Sequence, residues 1–189
     1  MTNGQEPPKL TVAAFDAYVG QLPEDAALEL IDGVPILVSD ADETHEQIAA
    51  NIGASLKLAM DKRRCRTYRR MMVQASVDAA GRDKCRPDVA VRCGPPGNNT
   101  FITDPVVVVE VRSSSTTELD RGHKLQFYKR LPTVRHIVLA HADQMRVEHF
   151  FRTESGWDRK VLSVSESVLE LAAVEFRMDL GSVYFDVHF

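Results

Sequence analysis

The sequence predicts an α/β domain, a mixed β-sheet flanked by helices, and three observations carry that expectation. Pro105-Val106-Val107-Val108-Val109-Glu110-Val111-Arg112 is a near-continuous run of β-branched residues, the pattern of a strand covered on both faces. Ile48, Ala49, Ile52, Leu56 and Ala59 recur on one helical face behind Thr44-His45-Glu46-Gln47, which fits a capping box. Finally, the Glu110 strand is followed by a second capping box at Ser115-Thr116-Thr117-Glu118, a helix to about Arg130, and the β-like Val134–Ala140. A crossover of that length suits a parallel strand pair joined with right-handed sense.

The remaining elements follow in chain order. Residues 1–9 are expected to form a flexible tail, and 10–189 a single domain, since 189 residues with 44% hydrophobic content can bury one substantial core. Thr11 to Gly20 reads as a short helix with Val12 and Phe15 inward. Leu28–Val38 reads as two strands around Asp32-Gly33, a favoured hairpin dipeptide. Tyr68 to Ala80 is expected as one strand ending in the Gly81-Arg82-Asp83 turn. Arg86-Pro87-Asp88-Val89-Ala90-Val91 follows as another strand, and Gly94–Asn99 as a loop. Met145–Phe151 and Lys160–Val164 look like antiparallel additions around the Glu154–Trp157 turn.

Composition bounds the setting. No apolar run approaches the roughly 20 residues that cross a bilayer, and the first residues lack a basic-then-apolar leader. A cytoplasmic protein without membrane contact is expected. Cys65, Cys85 and Cys93 contain no CxxC pair and read as reduced, partly buried thiols. The net charge of −4 argues against a protein that coats nucleic acid generally. Yet Lys62-Arg63-Arg64-Cys65-Arg66-Thr67-Tyr68-Arg69-Arg70 holds six basic and no acidic side chains, so Arg63, Arg64, Arg69 and Arg70 are candidates for nucleic-acid phosphate contact, with Arg112 of the valine strand a fifth.

Glu110 carries the chemical signal. An ionised carboxylate taken out of water costs several kcal/mol unless it is paired, so an acid inside a valine strand marks a candidate site. Asp88, at the mouth of a second short strand, offers another. Strand alternation puts Arg112 on the face of Glu110, and Asp120 and Lys124 share one side of the next helix. Two carboxylates and a main-chain carbonyl, that of Val111, suit Mg²⁺ or Mn²⁺, hard cations that take oxygen ligands. Such an ion polarises a phosphoryl oxygen, and a lysine nearby supplies a movable proton or a positive charge.

These residues resemble the PD-(D/E)XK superfamily of restriction-endonuclease-like nucleases: Pro87-Asp88 matches the PD element, and Glu110-Val111-Arg112 stands where (D/E)xK would. The chain is more closely similar to one branch, the Uma-two family of putative restriction endonucleases. The likeness runs from Leu10 to about Phe151 and includes Glu29-Leu30-Ile31-Asp32-Gly33, His45, Pro87-Asp88, Val109-Glu110-Val111, Ser113, Ser115, Thr116, Asp120, Lys124 and Tyr128. It implies a restriction-endonuclease-like sheet, Asp88 and Glu110 as metal ligands, Lys124 as a displaced motif lysine, assistance from Glu29 and His45, and DNA as substrate. Arg112, at a position usually apolar in that family, departs from the pattern and could pair with Glu110 in competition with metal.

Plainer roles stand beside these. Asp88 could be a turn residue, Glu110 with Arg112 a structural ion pair, Lys124 with Asp120 a surface pair, His45 a core or cap histidine, and Glu29 a residue that merely precedes a hairpin. Two rivals to a metal-dependent endonuclease follow: an inactive nuclease-fold module that binds nucleic acid, and an interaction domain using segment 62–70. The alternation of Val183-Tyr184-Phe185-Asp186-Val187-His188-Phe189 reads as a final strand whose open edge must be covered. A twofold partner would cover it and match the symmetry of duplex DNA, so a homodimer is expected.

Overall fold

The computed structural model describes residues 9–23, 26–38, 41–77, 80–112 and 118–189, with side chains omitted for 118–121. The tail, apart from Lys9, and the capping-box residues Ser115, Thr116 and Thr117 lie outside the described residues, as does the Asp120 side chain. Helix α1 (Val12–Val19) is capped by the Thr11 hydroxyl, which accepts from the Ala14 amide, and buries Val12 and Phe15. Strands β1 (Leu28–Ile31) and β2 (Val34–Leu37) form the expected hairpin. Asp32 and Gly33 both take positive φ, 47° and 78°, as the twist-matched two-residue turn requires. A Cβ on Gly33 would lie 2.7 Å from that of Lys9, and Lys9 itself pairs with Asp32, so the chain is anchored from this residue onward.

Helix α2 (Glu43–Met60) begins earlier than the expected box allows. Asp42, not Thr44, is the cap, accepting from the His45 amide at 2.8 Å. The expected strand Tyr68–Ala80 is divided in two: Arg70 takes a left-handed φ of 51° between β3 (Arg66–Arg69) and β4 (Met72–Gln74), which join different sheets. There follow β5 (Lys84–Cys85), β6 (Val89–Arg92), β7 (Phe101–Ile102), β8 (Pro105–Arg112), α3 (Glu118–Arg130), β9 (His136–His141), β10 (Val147–Thr153), β11 (Gly156–Leu162), β12 (Val168–Leu171), β13 (Phe176–Asp179) and α4 (Leu180–Val183).

The larger sheet runs β11-β10-β9-β8-β6-β3, the smaller β2-β1-β5-β4-β7, and β12-β13 forms a separate ribbon. β8 and β9 are parallel, joined through α3, with Glu110 beside Leu139. One face of the larger sheet (Val107, Val109, Val111) packs on Ile48, Ile52 and Leu56 of α2 and on Leu169 and Leu180. The other (Val108, Ile137, Leu139) packs on Phe127 and Tyr128 of α3 and on Val73 and Cys85 of the smaller sheet. Val107, Val108 and Val109 are fully buried, each worth about 1.5–3 kcal/mol over exposure, which is why this strand tolerates a carboxylate only at its end.

Two further expectations are corrected. Cys65 and Cys93 form a disulfide: the β3–β6 register pairs Arg66 with Arg92, which sets the flanking cysteines against each other though 28 residues separate them. Cys85 alone is a free, buried thiol. The C-terminal residues do not form a strand. Asp179 caps α4 by accepting from the Ser182 amide at 2.7 Å, and the consecutive Val183 and Tyr184 are both buried while Phe185 and Phe189 are 70% and 62% exposed. A helical turn, not a two-residue alternation, accounts for that, so the open-edge motive for a dimer is removed.

Candidate active site

Five sequence-selected acids and bases, Asp88, Glu110, Lys124, Glu29 and His45, meet at the carboxyl end of β8. The β6–β8 ladder pairs Val89 with Val109, so continuing it by one residue sets Asp88 against Glu110. Asp88 is fixed there twice: its Oδ2 accepts from the Val111 amide at 2.7 Å, and its carbonyl accepts from the Arg70 amide at 3.1 Å. The second bond continues the β3–β6 ladder by one residue beyond the Arg69–Val89 pair. Within a strand, N–H and C=O of one residue leave on the same edge, so the Val111 carbonyl faces the Asp88 side, while the Arg112 carbonyl accepts from Ala142 on the opposite edge.

Lys124 of α3 bridges two acids. Its Nζ lies 3.0 and 3.2 Å from the Glu29 oxygens and 2.8 Å from Glu110 Oε1. Glu29, on β1, also accepts from the Arg86 amide, so the hairpin, the approach to β6 and α3 are tied at one carboxylate. One turn after Lys124, the Tyr128 hydroxyl donates to Glu110 Oε1 at 2.6 Å. Tyr128 belongs to the resembling motif, but its role as a donor was not read from the sequence; the i, i+4 spacing from Lys124 was the available signal. From α2, His45 Nε2 lies 3.3 Å from Asp88 Oδ2, and its Nδ1 is buried with no partner among the described residues.

Burial dominates the electrostatics. It raises the Glu110 carboxyl to about 7, against the pull of Lys124 and with the help of Asp88 and Glu29. For Lys124, burial alone would favour loss of the proton, but the charges of Glu110 and Glu29 outweigh it and hold the ammonium well above its ordinary range. Lys124 is therefore a fixed cation and donor, not the movable base that the sequence allows. Burial, reinforced by Glu110, pushes the Tyr128 phenol well up, which keeps it a neutral donor. His45 is drawn down by burial and up by its bond to Asp88 and the acids around it; the net shift is upward.

The basic candidates separate. Arg63 reaches the Val174 carbonyl and Glu175, at 2.8 and 2.7 Å. Arg69 and Arg70 share Glu46, at 2.6 and 3.5 Å, and Arg64 is exposed. Arg112 turns to Glu148, 3.2 Å away, so Glu110 is held by Lys124 and Tyr128 and the expected competition from Arg112 is corrected.

Among the described residues, no three His, Cys, Asp or Glu side chains gather as a metal centre. The donors that suit a hard divalent ion are the Asp88 and Glu110 carboxylates with the Val111 carbonyl. This all-oxygen set carries the like-charge strain that a cation relieves.

The sheet order and its flanking helices define a mixed α/β fold. A crystal structure of a putative nuclease belonging to DUF820 from Anabaena variabilis superposes with a TM-score of 0.73 at 16% identity, over 92% of this chain and 97% of that one. The chain belongs to the Uma2 family, described as putative restriction endonuclease, whose model matches residues 13–181. Two uncharacterized proteins of Synechocystis sp. are similar. One, slr1290, is 32% identical over 101 residues, which spans 52% of this chain and about half (53%) of the relative. The other, sll1609, is 26% identical over 155 residues, 78% of this chain and 82% of the relative. Among the described residues no helix is long and apolar enough to cross a membrane.

Proposed function

We propose that the protein is a divalent-metal-dependent endonuclease that hydrolyses DNA phosphodiester bonds at the Asp88–Glu110–Lys124 site. The observation that carries this is the meeting of the buried Glu29 carboxylate and the half-buried Asp88 and Glu110 carboxylates with one fixed ammonium at a strand end, where burial raises the Glu110 carboxyl to about 7. Asp88, Glu110 and the Val111 carbonyl would hold Mg²⁺ or Mn²⁺, which when bound supplies Lewis-acid stabilisation of charge on a phosphoryl oxygen. The rest falls to the chain. Lys124 keeps its proton and offers positive charge to the developing anion. Glu29 and Tyr128 fix the positions of Lys124 and Glu110, and His45 holds Asp88 toward β8. A symmetric dimer would present two such sites to the two strands of a duplex, and light scattering of the full chain tests that.

Asp88→Asn and Glu110→Gln, assayed by Mn²⁺ calorimetry and plasmid nicking, should each lose metal binding and nicking while the fold remains. Unchanged Mn²⁺ affinity in both variants would remove the proposed ligands.

A further inference from the structure

The basic segment 62–70 is the obvious phosphate contact in the sequence, but the fold gives Arg63, Arg69 and Arg70 carboxylate partners of their own. A second set of bases lies beside the active site. Glu148 of β10 pairs across β9 with Leu139, and Leu139 pairs in turn with Glu110, so Glu148 lies in the same sheet row, two strands away. Around this one carboxylate stand Arg112 of β8 at 3.2 Å, His141 of β9 at 3.0 Å, Arg146 at 4.0 Å and Arg159 of β11 at 2.8 Å. Lys129 of α3 extends the group: its Nζ lies 4.5 Å from the Phe150 ring centroid, and the Arg159 guanidinium lies 5.8 Å from the same ring. Asp143, 3.7 Å from His141, is the other acid in contact.

The arrangement differs from a set of surface ion pairs. Glu148 is only 11% exposed at its side chain, whereas Arg146 and Arg159 are 36% and 47% exposed. The acid therefore lies beneath and the guanidinium groups reach solvent. Among the described residues cations outnumber carboxylates, and the set spans β8 to β11, three strand spacings or roughly 14 Å.

Resting on the endonuclease reading, we propose that Arg112, His141, Arg146, Arg159 and Lys129, organised by Glu148, form a phosphate-binding shelf that holds the DNA backbone beside Glu110. Arg146 and Arg159 carry the exposed part of it.

The test is equilibrium binding of a short fluorescein-labelled DNA duplex in EDTA, followed between about 50 and 200 mM salt. Replacing Arg146 and Arg159 by Ser should lower the slope of log affinity against log salt by about two, since each phosphate that a base neutralises contributes about 0.9. Arg159→Ser alone should lower it by about one. Mn²⁺ binding should stay at the wild-type value. Lysine at both positions should keep the slope, because charge and not planar geometry meets the phosphate. Arg63→Ser with Arg64→Ser should leave the slope unchanged. A wild-type slope in the serine pair, a lysine pair as impaired as the serine pair, or a slope that collapses on replacing Arg63 and Arg64 would each overturn the shelf while leaving the active site standing. A wild-type protein that binds Mn²⁺ but no DNA would overturn the endonuclease reading and the shelf with it.

Discussion

Replacing Glu110 by Gln examines the electrostatics of the site without asking for catalysis. Burial, opposed by Lys124 and aided by Asp88 and Glu29, raises this carboxyl from 4.5 to about 7. In the metal-free protein the folded state thus keeps a proton that the unfolded chain has released, and stability falls as pH climbs through that window. Below 4.5 the group is protonated in both states; above about 7 it is ionised in both, and the whole penalty is present. At about 1.4 kcal/mol per unit, the penalty is about 3 kcal/mol. Glutamine keeps an oxygen for the Tyr128 hydroxyl and for Lys124, which retains Glu29 as its counter-ion, but it carries no charge. Glu110→Gln should match wild type near pH 4.5 and exceed it by about 3 kcal/mol near pH 8, or roughly 6–12 °C in thermal midpoint for a chain of this size. Urea unfolding in EDTA across that range measures it, and the histidines, common to both proteins, cancel in the difference. A difference that stays flat with pH, or a variant weaker than wild type at alkaline pH, would refute the argument.

Lys124→Met removes the ammonium between Glu29 and Glu110; it should lose plasmid nicking and about 3–5 kcal/mol at alkaline pH, where the Glu110 charge loses its cation. The loss should shrink near pH 5 as Glu110 protonates, so equal losses at both pH values would contradict it. His136 and His149 form a second, buried unit: the Ala173 amide donates to His136 Nε2, so the proton on His136 Nδ1 points to His149 Nε2, 3.0 Å away. Burial lowers both rings from 6.5 to about 4. The unfolded state then binds more protons, and stability is lost as pH falls from about 6.5 to about 4, by up to roughly 3 kcal/mol per ring. His149→Gln should blunt that acid limb in chemical denaturation; an unaltered limb would exclude the pair as its source.

Much of the site was legible because its residues are chemically out of place. Glu110 interrupts a valine run, and Asp88 follows a proline at a strand mouth. Lys124 lies on the helix of a crossover whose length implied a parallel pair, which β8 and β9 form. What escaped the sequence depended on partners distant along the chain. Nothing near Arg70 announces a left-handed residue that splits a strand, and the Cys65–Cys93 pairing is visible only once β3 and β6 are in register. Nothing in the residues around Glu148 marks it; its place comes from four bases supplied by separate segments. The C-terminal alternation misled because a two-residue period in seven residues is also compatible with a capped turn, and Asp179 decides between them.

Tyr184 carries a practical consequence. Its hydroxyl donates to the Arg146 carbonyl at 2.6 Å and accepts from the Arg146 and His141 amides, each at 3.2 Å, so the last stretch of chain is clasped to the turn that presents two of the shelf bases. Phe189, whose ring lies 5.4 Å from that of Tyr184, carries any change at that end of the chain to the same turn, and so to the placement of His141 and Arg146.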